Sequence, residues 1–388
     1  MFRVGIIGVG NMGSGHLKNF IDGKIKGAKI TALCDIDREN LYKHKDKLDA
    51  DVRYFESSDE LINSGTVDGV VIATPHYDHP TIAVKAFNAG LHVFCEKPAG
   101  VYTKQVREMN EAAQKSGKVF QVNFVLRTNN TYRRIKELMD QNAVGSLKRV
   151  TWIITTWYRT QSYFNSGGWR ATWAGEGGGT LLNQNPHQLD LFQWFCGVPK
   201  RVRGFCYFGK NRDIEVEDEA SAYFEYDNGA VGIYTTSVSE CPGTNRLEIV
   251  GDRGKLVYEN DKIKLYKTSV SDAEFNKTCT DLFGNIPYTE EEIEPEKSDV
   301  NEGQAQMISN WVDAAVNGAE LIAPGYEGIN SLSISNAMHL STWNDDWVEL
   351  PLDEDEFYNK LQEKIKGSTY VKKTVEKINA DMNSSYSK

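Results

Sequence analysis

What this 388-residue chain lacks narrows its reading first. It has six cysteines, at 34, 95, 196, 206, 241 and 279, and no C-x-x-C pair among them. That scatter supports neither a disulfide framework nor a zinc site, and the two in apolar runs read as buried free thiols. No apolar stretch reaches the ~20 residues that span a bilayer. The chain opens straight into a strand-like run with no secretory leader pattern, so a reducing cytoplasm is the expected location. Dense basic tracts are missing too. The formal net charge is −10, which argues against nucleic-acid or anionic-membrane partners, since those need clustered Lys and Arg. No internal repeat is visible. The rest is ordinary for a globular protein, 40% hydrophobic and 25% charged, and the length favours two domains.

What is present begins at once. The apolar run Phe2 to Ile7 leads into Gly8-Val9-Gly10-Asn11-Met12-Gly13. This is G-x-G-x-x-G at the end of a strand and the mouth of a helix. Gly8 allows the tight turn, Gly10 lets backbone approach a pyrophosphate, and Gly13 lets the helix pack close. The helix N-terminus, from Asn11 and Met12, offers unpaired N–H groups to phosphates. A second apolar run, Ile30 to Cys34, ends in Asp35, where a carboxylate can accept from both adenosine ribose hydroxyls. An acid there would repel a 2′-phosphate, so NAD is expected as cofactor rather than NADP. Arg38 reads as a solvated first-turn helix residue.

The first third alternates strands and helices, which implies a doubly wound parallel sheet. Strands are expected over 67–74, 91–95 and 119–125, with helices over 80–89 and 103–116. This unit closes near residue 124. After a helix over 131–141, strands dominate: 147–158, 202–208, 220–226, 230–237, 246–250, 255–258 and 262–266. Asp227-Asn228-Gly229 is a strong hairpin turn and Asp252-Arg253-Gly254 a plausible second one. Polar and apolar residues alternate in several of these strands, as in 220–224, which suits a mostly antiparallel sheet with one face covered. A free sheet face on such a protein meets a helix layer or another subunit, so a homo-oligomer built through it is expected. Helices return over 303–317 and 328–344. The division is thus 1–124, 125–350 and a charged, helical 351–388.

Two further clusters carry chemistry. Cys95-Glu96-Lys97-Pro98 directly follows a parallel strand, and the carboxyl ends of such strands face the ligand crevice. The second is Gly177-Gly178-Gly179 through Asn183, His187 and Asp190. Asn183 and His187, four apart, are expected on one helix face, and a histidine in a cleft can move a proton near neutral pH. Asp190 is expected to orient that helix. These spellings leave two alternatives open, an exposed loop ammonium and a capped core histidine.

Taken together, the glycine turn at 8–13, Asp35, Ala73-Thr74-Pro75, Glu96-Lys97-Pro98 and the glycine-led N-x-x-x-H at 183–187 resemble the glucose–fructose oxidoreductase / inositol dehydrogenase / MocA family. They occur in family order over roughly residues 1–190. The resemblance implies a Rossmann domain followed by an α+β domain with a large, open, mostly antiparallel sheet. It implies that Lys97 is the catalytic lysine and His187 the catalytic histidine. The family often has aspartate where this chain has Asn183, and an amide cannot act as a base.

The implied chemistry is oxidation of a secondary alcohol on a small-molecule sugar or glycoside. Its hydride goes to nicotinamide and its proton to a base within hydrogen-bond reach. His187 is assigned the proton transfer and Lys97 the polarisation of the developing carbonyl oxygen, with the swap left open. His76 and His79, after Thr74-Pro75, are expected to line the nicotinamide side, with one of them solvated; Thr74, Pro75, Glu96 and Lys97 are placed with the cofactor contacts. Trp157, Tyr158, Arg159, Tyr163, Trp169, Arg170 and Trp173 form a candidate substrate wall. That wall resembles members that oxidise C3 of a glycoside to a 3-keto sugar. The alternatives are a redox-neutral glycoside hydrolase, an inositol or polyol dehydrogenase, and a dinucleotide-sensing scaffold without turnover.

Overall fold

The structure, a computed structural model, describes residues 1–372. The charged 351–388 segment therefore lies partly outside the described residues, from 373 onward. Strands β1 (Phe2–Ile7), β2 (Ala28–Cys34), β3 (Arg53–Phe55), β4 (Gly69–Ile72), β5 (His92–Cys95) and β6 (Phe120–Val122) form a six-stranded parallel sheet, ordered β3-β2-β1-β4-β5-β6. The order reverses beside β1, and ligands bind above that switch point in doubly wound sheets. Its strands are buried on both faces, so they read as apolar runs without alternation. Helices α1 (Asn11–Ile21), α2 (Arg38–Tyr42), α3 (Ser58–Ile62), α4 (Asp78–Asn88) and α5 (Thr103–Ser116) connect them.

The second sheet has nine strands. They are β7 (Leu147–Ile154), β8 (Arg201–Phe208), β9 (Glu217–Glu225), β10 (Val231–Ser237), β11 (Asn245–Gly251), β12 (Gly254–Glu259), β13 (Lys262–Thr268), β14 (Tyr288–Ile293) and β15 (Val348–Glu349). All neighbours run antiparallel except β7 and β10, which are parallel. Both expected hairpins stand where the turns placed them, Tyr226 to Ala230 between β9 and β10 and Asp252-Arg253 between β11 and β12. The remaining helices are α6 (Asn130–Asp140), α7 (Gln161–Asn165), α8 (Pro186–Cys196), α9 (Asp272–Thr278), α10 (Val300–Asn317), α11 (Gly328–Asn344) and α12 (Glu354–Gly367).

Several boundaries differ from the sequence reading. The strand expected to run to Tyr158 stops at Ile154; one further rung in the same register, Thr155 N to Thr244 O, follows it. Strands β3, β14 and β15 carry no alternation long enough to announce them. Helix α10 follows the second sheet in sequence, yet it packs on the first. Trp311 meets Phe2 edge-on at 5.4 Å and Phe94 at 5.9 Å between ring centres. Gly69 in β4 makes room for it, since a Cβ there would lie 2.8 Å from the indole. The two halves are thus joined by shared core as well as by the chain crossing between them.

One face of the nine-stranded sheet is covered by α11, against β8, and by α8, whose Phe192 meets Phe224 of β9 and Tyr234 of β10. On the other, Ile153, Phe205, Tyr223 and Ile233 stand at registered positions and remain exposed. Among the described residues no helix is long and apolar enough to cross a membrane.

Candidate active site

The glycine turn is built as its spelling requires. Gly8 has φ +88°, and a Cβ there would meet the Ala73 carbonyl oxygen at 2.7 Å. Gly13 touches the turn itself, with a Cβ falling 1.8 Å from the Gly8 oxygen. At Gly10 the same construction finds open space. Gly10 caps α1 without any side-chain bond, and no acid stands in the first turn. The helix start thus presents free N–H groups to an anion. Asp35 ends β2 and accepts from Val9 N at 2.7 Å and Asp37 N at 2.8 Å. Each carboxylate oxygen keeps a further lone pair for a ribose hydroxyl. Ile36 beside it is 91% exposed, an apolar surface where an adenine would lie and one the sequence reading passed over. Arg38 is exposed and paired with Glu56 at 2.7 Å. Buried Thr74 Oγ1 has no partner among the described residues, while Pro75 is exposed. These features fit a dinucleotide with an unphosphorylated ribose.

Glu96 and Lys97 point in different directions. Glu96 turns inward to His16 at 2.6 Å and Asn123 at 2.7 Å, and Asn123 passes the contact to Gln304 of α10. Burial opposes its charge, but the bonds from His16 and Asn123 and the nearby Lys97 hold it down at about 2. Glu96, expected among the cofactor contacts, spends its carboxylate within the protein and anchors the loop from below. Lys97 reaches across the cleft, and its Nζ donates to the Asn183 carbonyl at 2.8 Å. Burial lowers its pKa to about 8, Arg170 and Arg159 push the same way, and Glu96 and Glu176 resist.

His187 opens α8. It is almost fully buried, and neither ring nitrogen has a partner among the described residues. Burial, reinforced by the Lys97 charge, lowers it to about 3, so it stays neutral at physiological pH. Asn183 does not share its helix face, contrary to the four-residue spacing. It belongs to a separate turn, with Asn183 N bonded to Gly179 O, and α8 starts only at Pro186. Proline disfavours helical backbone in the residue before it and cannot donate an N–H. Asp190, three residues on, receives a fork from Arg127 at 2.8 and 2.6 Å, both side chains 1% exposed. That pair fixes the helix, the role the sequence assigned to Asp190.

The histidines after Thr74 are both buried, so the expected solvated one is absent. His79 is held between the carbonyls of Pro98 and Thr74, 2.8 Å to each. It ties the Thr74 loop to the Lys97 loop and faces no open space. His76 lies against the Glu176 carbonyl at 3.2 Å and meets the Trp169 ring edge-on at 5.0 Å. It is the one that borders the cleft.

The aromatic wall is real in part. Arg159 lies over Trp157 and Tyr163, and Arg170 over Tyr163 and Trp169, at 4.4 to 5.3 Å. Cations over aromatic faces are held in place, so the two guanidinium groups stand as fixed donors. Arg170 also donates to Tyr163 Oη at 2.8 Å. Tyr158 is exposed beneath Arg212. Trp173 leaves the wall: its ring packs edge-on to Phe208, His339 and Trp343 in the core. Three contributors escaped the sequence reading. Glu176 bonds Asn183; Glu217 accepts from Gly179 N and Leu181 N at 2.9 Å each; and Lys372 donates to the Arg170 carbonyl at 2.7 Å. Glu217 and Lys372 act across long sequence separations and on backbone groups, and the Glu176–Asn183 contact, seven residues apart, follows no regular helix or strand spacing, so no motif marks them.

Two family models match: "Oxidoreductase family, NAD-binding Rossmann fold" over residues 2–124 and "GFO/IDH/MocA C-terminal domain" over residues 132–257. Inositol 2-dehydrogenase of Salmonella typhimurium is 33% identical over 144 residues, covering 37% of this chain and 43% of that protein. The match thus spans less than half of that relative. Inositol 2-dehydrogenase of Rubrobacter xylanophilus is 28% identical over 259 residues, covering 65% and 70%. Among solved structures, the WlbA dehydrogenase of Chromobacterium violaceum, in complex with NADH and UDP-GlcNAcA, superposes with a TM-score of 0.75. It is 25% identical over 91% of this chain and 96% of that one. Levoglucosan dehydrogenase in complex with NADH and levoglucosan gives 0.74 at 19% identity over 90% and 99%, a likeness of fold. With its glycine turn, its lysine loop and its open second sheet, the chain belongs to the glucose–fructose oxidoreductase / inositol dehydrogenase / MocA oxidoreductase family, whose first domain is an NAD-binding Rossmann fold.

Proposed function

We propose that this chain oxidises a secondary hydroxyl of a sugar or glycoside, C3 of a glucoside being the favoured position, with NAD as hydride acceptor. The observation that carries the reading is that Lys97 lies near enough to His187 for its charge to act on that ring, whose two nitrogens have no partner among the described residues. Gly8, Gly10, Asn11, Met12, Gly13, Asp35 and Thr74 would hold the dinucleotide; when bound, it accepts the hydride. Lys97 takes the hydroxyl proton. Its pKa of about 8 puts a usable neutral fraction near physiological pH, as general-base work requires. His187, neutral and unpaired, accepts or donates one hydrogen bond at the same oxygen. This exchanges the roles first assigned to the two. Arg159, Arg170, Trp169 and Asn183 orient the ring, and the stacked wall suits an aglycone lying flat on it. We further propose a homo-oligomer through the exposed face of the nine-stranded sheet, supported by its registered Ile153, Phe205, Tyr223 and Ile233. A cytoplasmic location agrees with free cysteines at 34, 95, 196, 206, 241 and 279.

The test is a panel of glucosides, free glucose and inositol, scored by NADH absorbance and product mass. A 3-keto product with NADH supports the reading. Turnover of inositol with no glucoside accepted would move the substrate to polyols. Released aglycone with unmodified sugar and no net NADH would select the redox-neutral hydrolase.

A further inference from the structure

Glu176 sits behind the proposed site and takes no part in the chemistry given above. It is 1% exposed. Its Oε1 accepts from the Asn183 amide, its Oε2 accepts from Ala171 N at 2.6 Å, and Arg170 stands 4.0 Å away. Its own carbonyl meets His76 at 3.2 Å. Through its carboxylate and its backbone carbonyl this one buried residue therefore touches the loop of Arg170, the turn of Asn183 and the loop of His76, and the Asn183 carbonyl holds Lys97. Burial, with the nearby Glu217 charge, raises the Glu176 pKa above the usual carboxylate value, and Arg170, the Asn183 amide and Ala171 N–H oppose that rise; in its ionised form the carboxylate only accepts hydrogen bonds. It must face the NH2 end of the Asn183 amide, which leaves Asn183 Oδ1 as that group's free acceptor on a half-buried residue.

We propose that Glu176 is a positioning residue: it fixes the Asn183 amide with Oδ1 toward the substrate, and it sets a negative charge behind the Lys97–Asn183 contact. This rests on the reading of Lys97 as the group that takes the proton. The charged and titratable groups around Lys97 are Glu96 on its own loop, Arg159 and Arg170 from the wall, His76 and His187 from the facing loop and helix, and Glu176. Of the two acids, Glu96 is committed to His16 and Asn123, whereas Glu176 bonds the Asn183 amide next to the carbonyl that holds Lys97. Removing the Glu176 charge leaves Arg159 and Arg170 less opposed, so the Lys97 ammonium loses protons more readily.

The experiment follows the ε-carbon of Lys97 by NMR in the chain labelled with carbon-13 lysine, the resonance being assigned by its loss in Lys97→Arg. Wild type is expected to titrate near pH 8. Glu176→Gln, which keeps the shape, is expected to lower that midpoint by about one pH unit. Glu176→Asp keeps the charge and shortens the reach. It is expected to leave the midpoint close to wild type while raising KM for the sugar about tenfold, as Asn183 comes free. An unchanged midpoint in Glu176→Gln, or a midpoint that falls equally in Glu176→Asp, overturns the proposal. If instead Lys97→Met keeps its sugar oxidation, the reading of Lys97 fails, and the NMR midpoints still decide what Glu176 does.

Discussion

Lys97 Nζ donates to the backbone carbonyl of Asn183 at 2.8 Å, tying the first sheet's lysine loop to the turn ahead of α8. One contact thus joins the half that would carry the dinucleotide to the half that would carry the sugar. It also uses a carbonyl rather than a carboxylate, so the amine is held without being locked in the charged form. Removing the amine tests this. Lys97→Met is expected to cut sugar oxidation by about 10²- to 10⁴-fold, the range for loss of a general base. Binding of NADH, read by its fluorescence, should stay within threefold by roughly the margin left when no direct contact is lost.

The glycine turn offers a sharper separation of fold from binding. Gly10→Ala adds a methyl to open space, at a backbone φ of −66° that alanine accepts. Its melting temperature should match wild type while its Kd for NAD rises at least about tenfold, since the methyl stands where backbone must approach a pyrophosphate. Gly13→Ala would press on the Gly8 oxygen and is expected to unfold the turn itself. If both variants bind NAD normally, the nucleotide lies elsewhere.

Asp35 should decide the cofactor. Asp35→Ala removes the acceptor at the end of β2, and hydrogen bonds to a charged group contribute ~1.5–3 kcal/mol. The Kd for NAD is therefore expected to rise about 10- to 100-fold, and discrimination against NADP should shrink. Equal affinity of wild type for both nucleotides would contradict the assignment.

Arg127 and Asp190 form a buried pair whose two members are each 1% exposed, with Glu327 on the same guanidinium. Breaking such a pair strands a charge and costs about 3–5 kcal/mol. Urea unfolding of Arg127→Met should show that loss, and the Arg127→Met/Asp190→Leu double variant should recover part of it. A single variant as stable as wild type would mean the pair does not hold α8.

Glu217 gives a prediction with pH. Burial disfavours its charge, but His339 and the N–H groups of Leu181 and Gly179 outweigh that and lower its pKa below the ordinary 4.5. A carboxylate with a lowered folded value stabilises above the unfolded value, and that stability is lost as pH falls through the folded one. Glu217→Gln should thus lower the melting temperature at neutral pH and flatten its acid dependence. A difference between the two proteins that is constant down to acid pH would refute this role.

The sequence displayed whatever chemistry writes into neighbouring residues. The turn at Gly8 to Gly13, Asp35, the Lys97 loop and the Asn-Gly hairpin are each dictated by backbone geometry over a few positions, so spelling and structure agree. Contacts between distant segments were hidden. Glu217 looks like an ordinary acid until the fold buries it against the Gly179 turn, and Glu176 until it is buried against His76, a hundred residues away. Trp173 and Trp169 are four apart and chemically alike, and only packing sends one to the core and leaves the other on the wall. His187 and Asn183 had the right spacing for one helix, but Pro186 splits them. Helix α10 carries Trp311 back onto the first sheet, which no local pattern could announce.

The central claim, that Lys97 takes the proton while hydride leaves C3, is tested most directly by single-turnover reduction of NAD with methyl glucoside carrying hydrogen or deuterium at C3, across pH. A primary isotope effect is expected, with a rate that rises through about pH 8 and levels above it; Lys97→Met should lose that rise while its residual turnover keeps the isotope effect. No isotope effect from C3, or a rate flat through that range, would contradict the account.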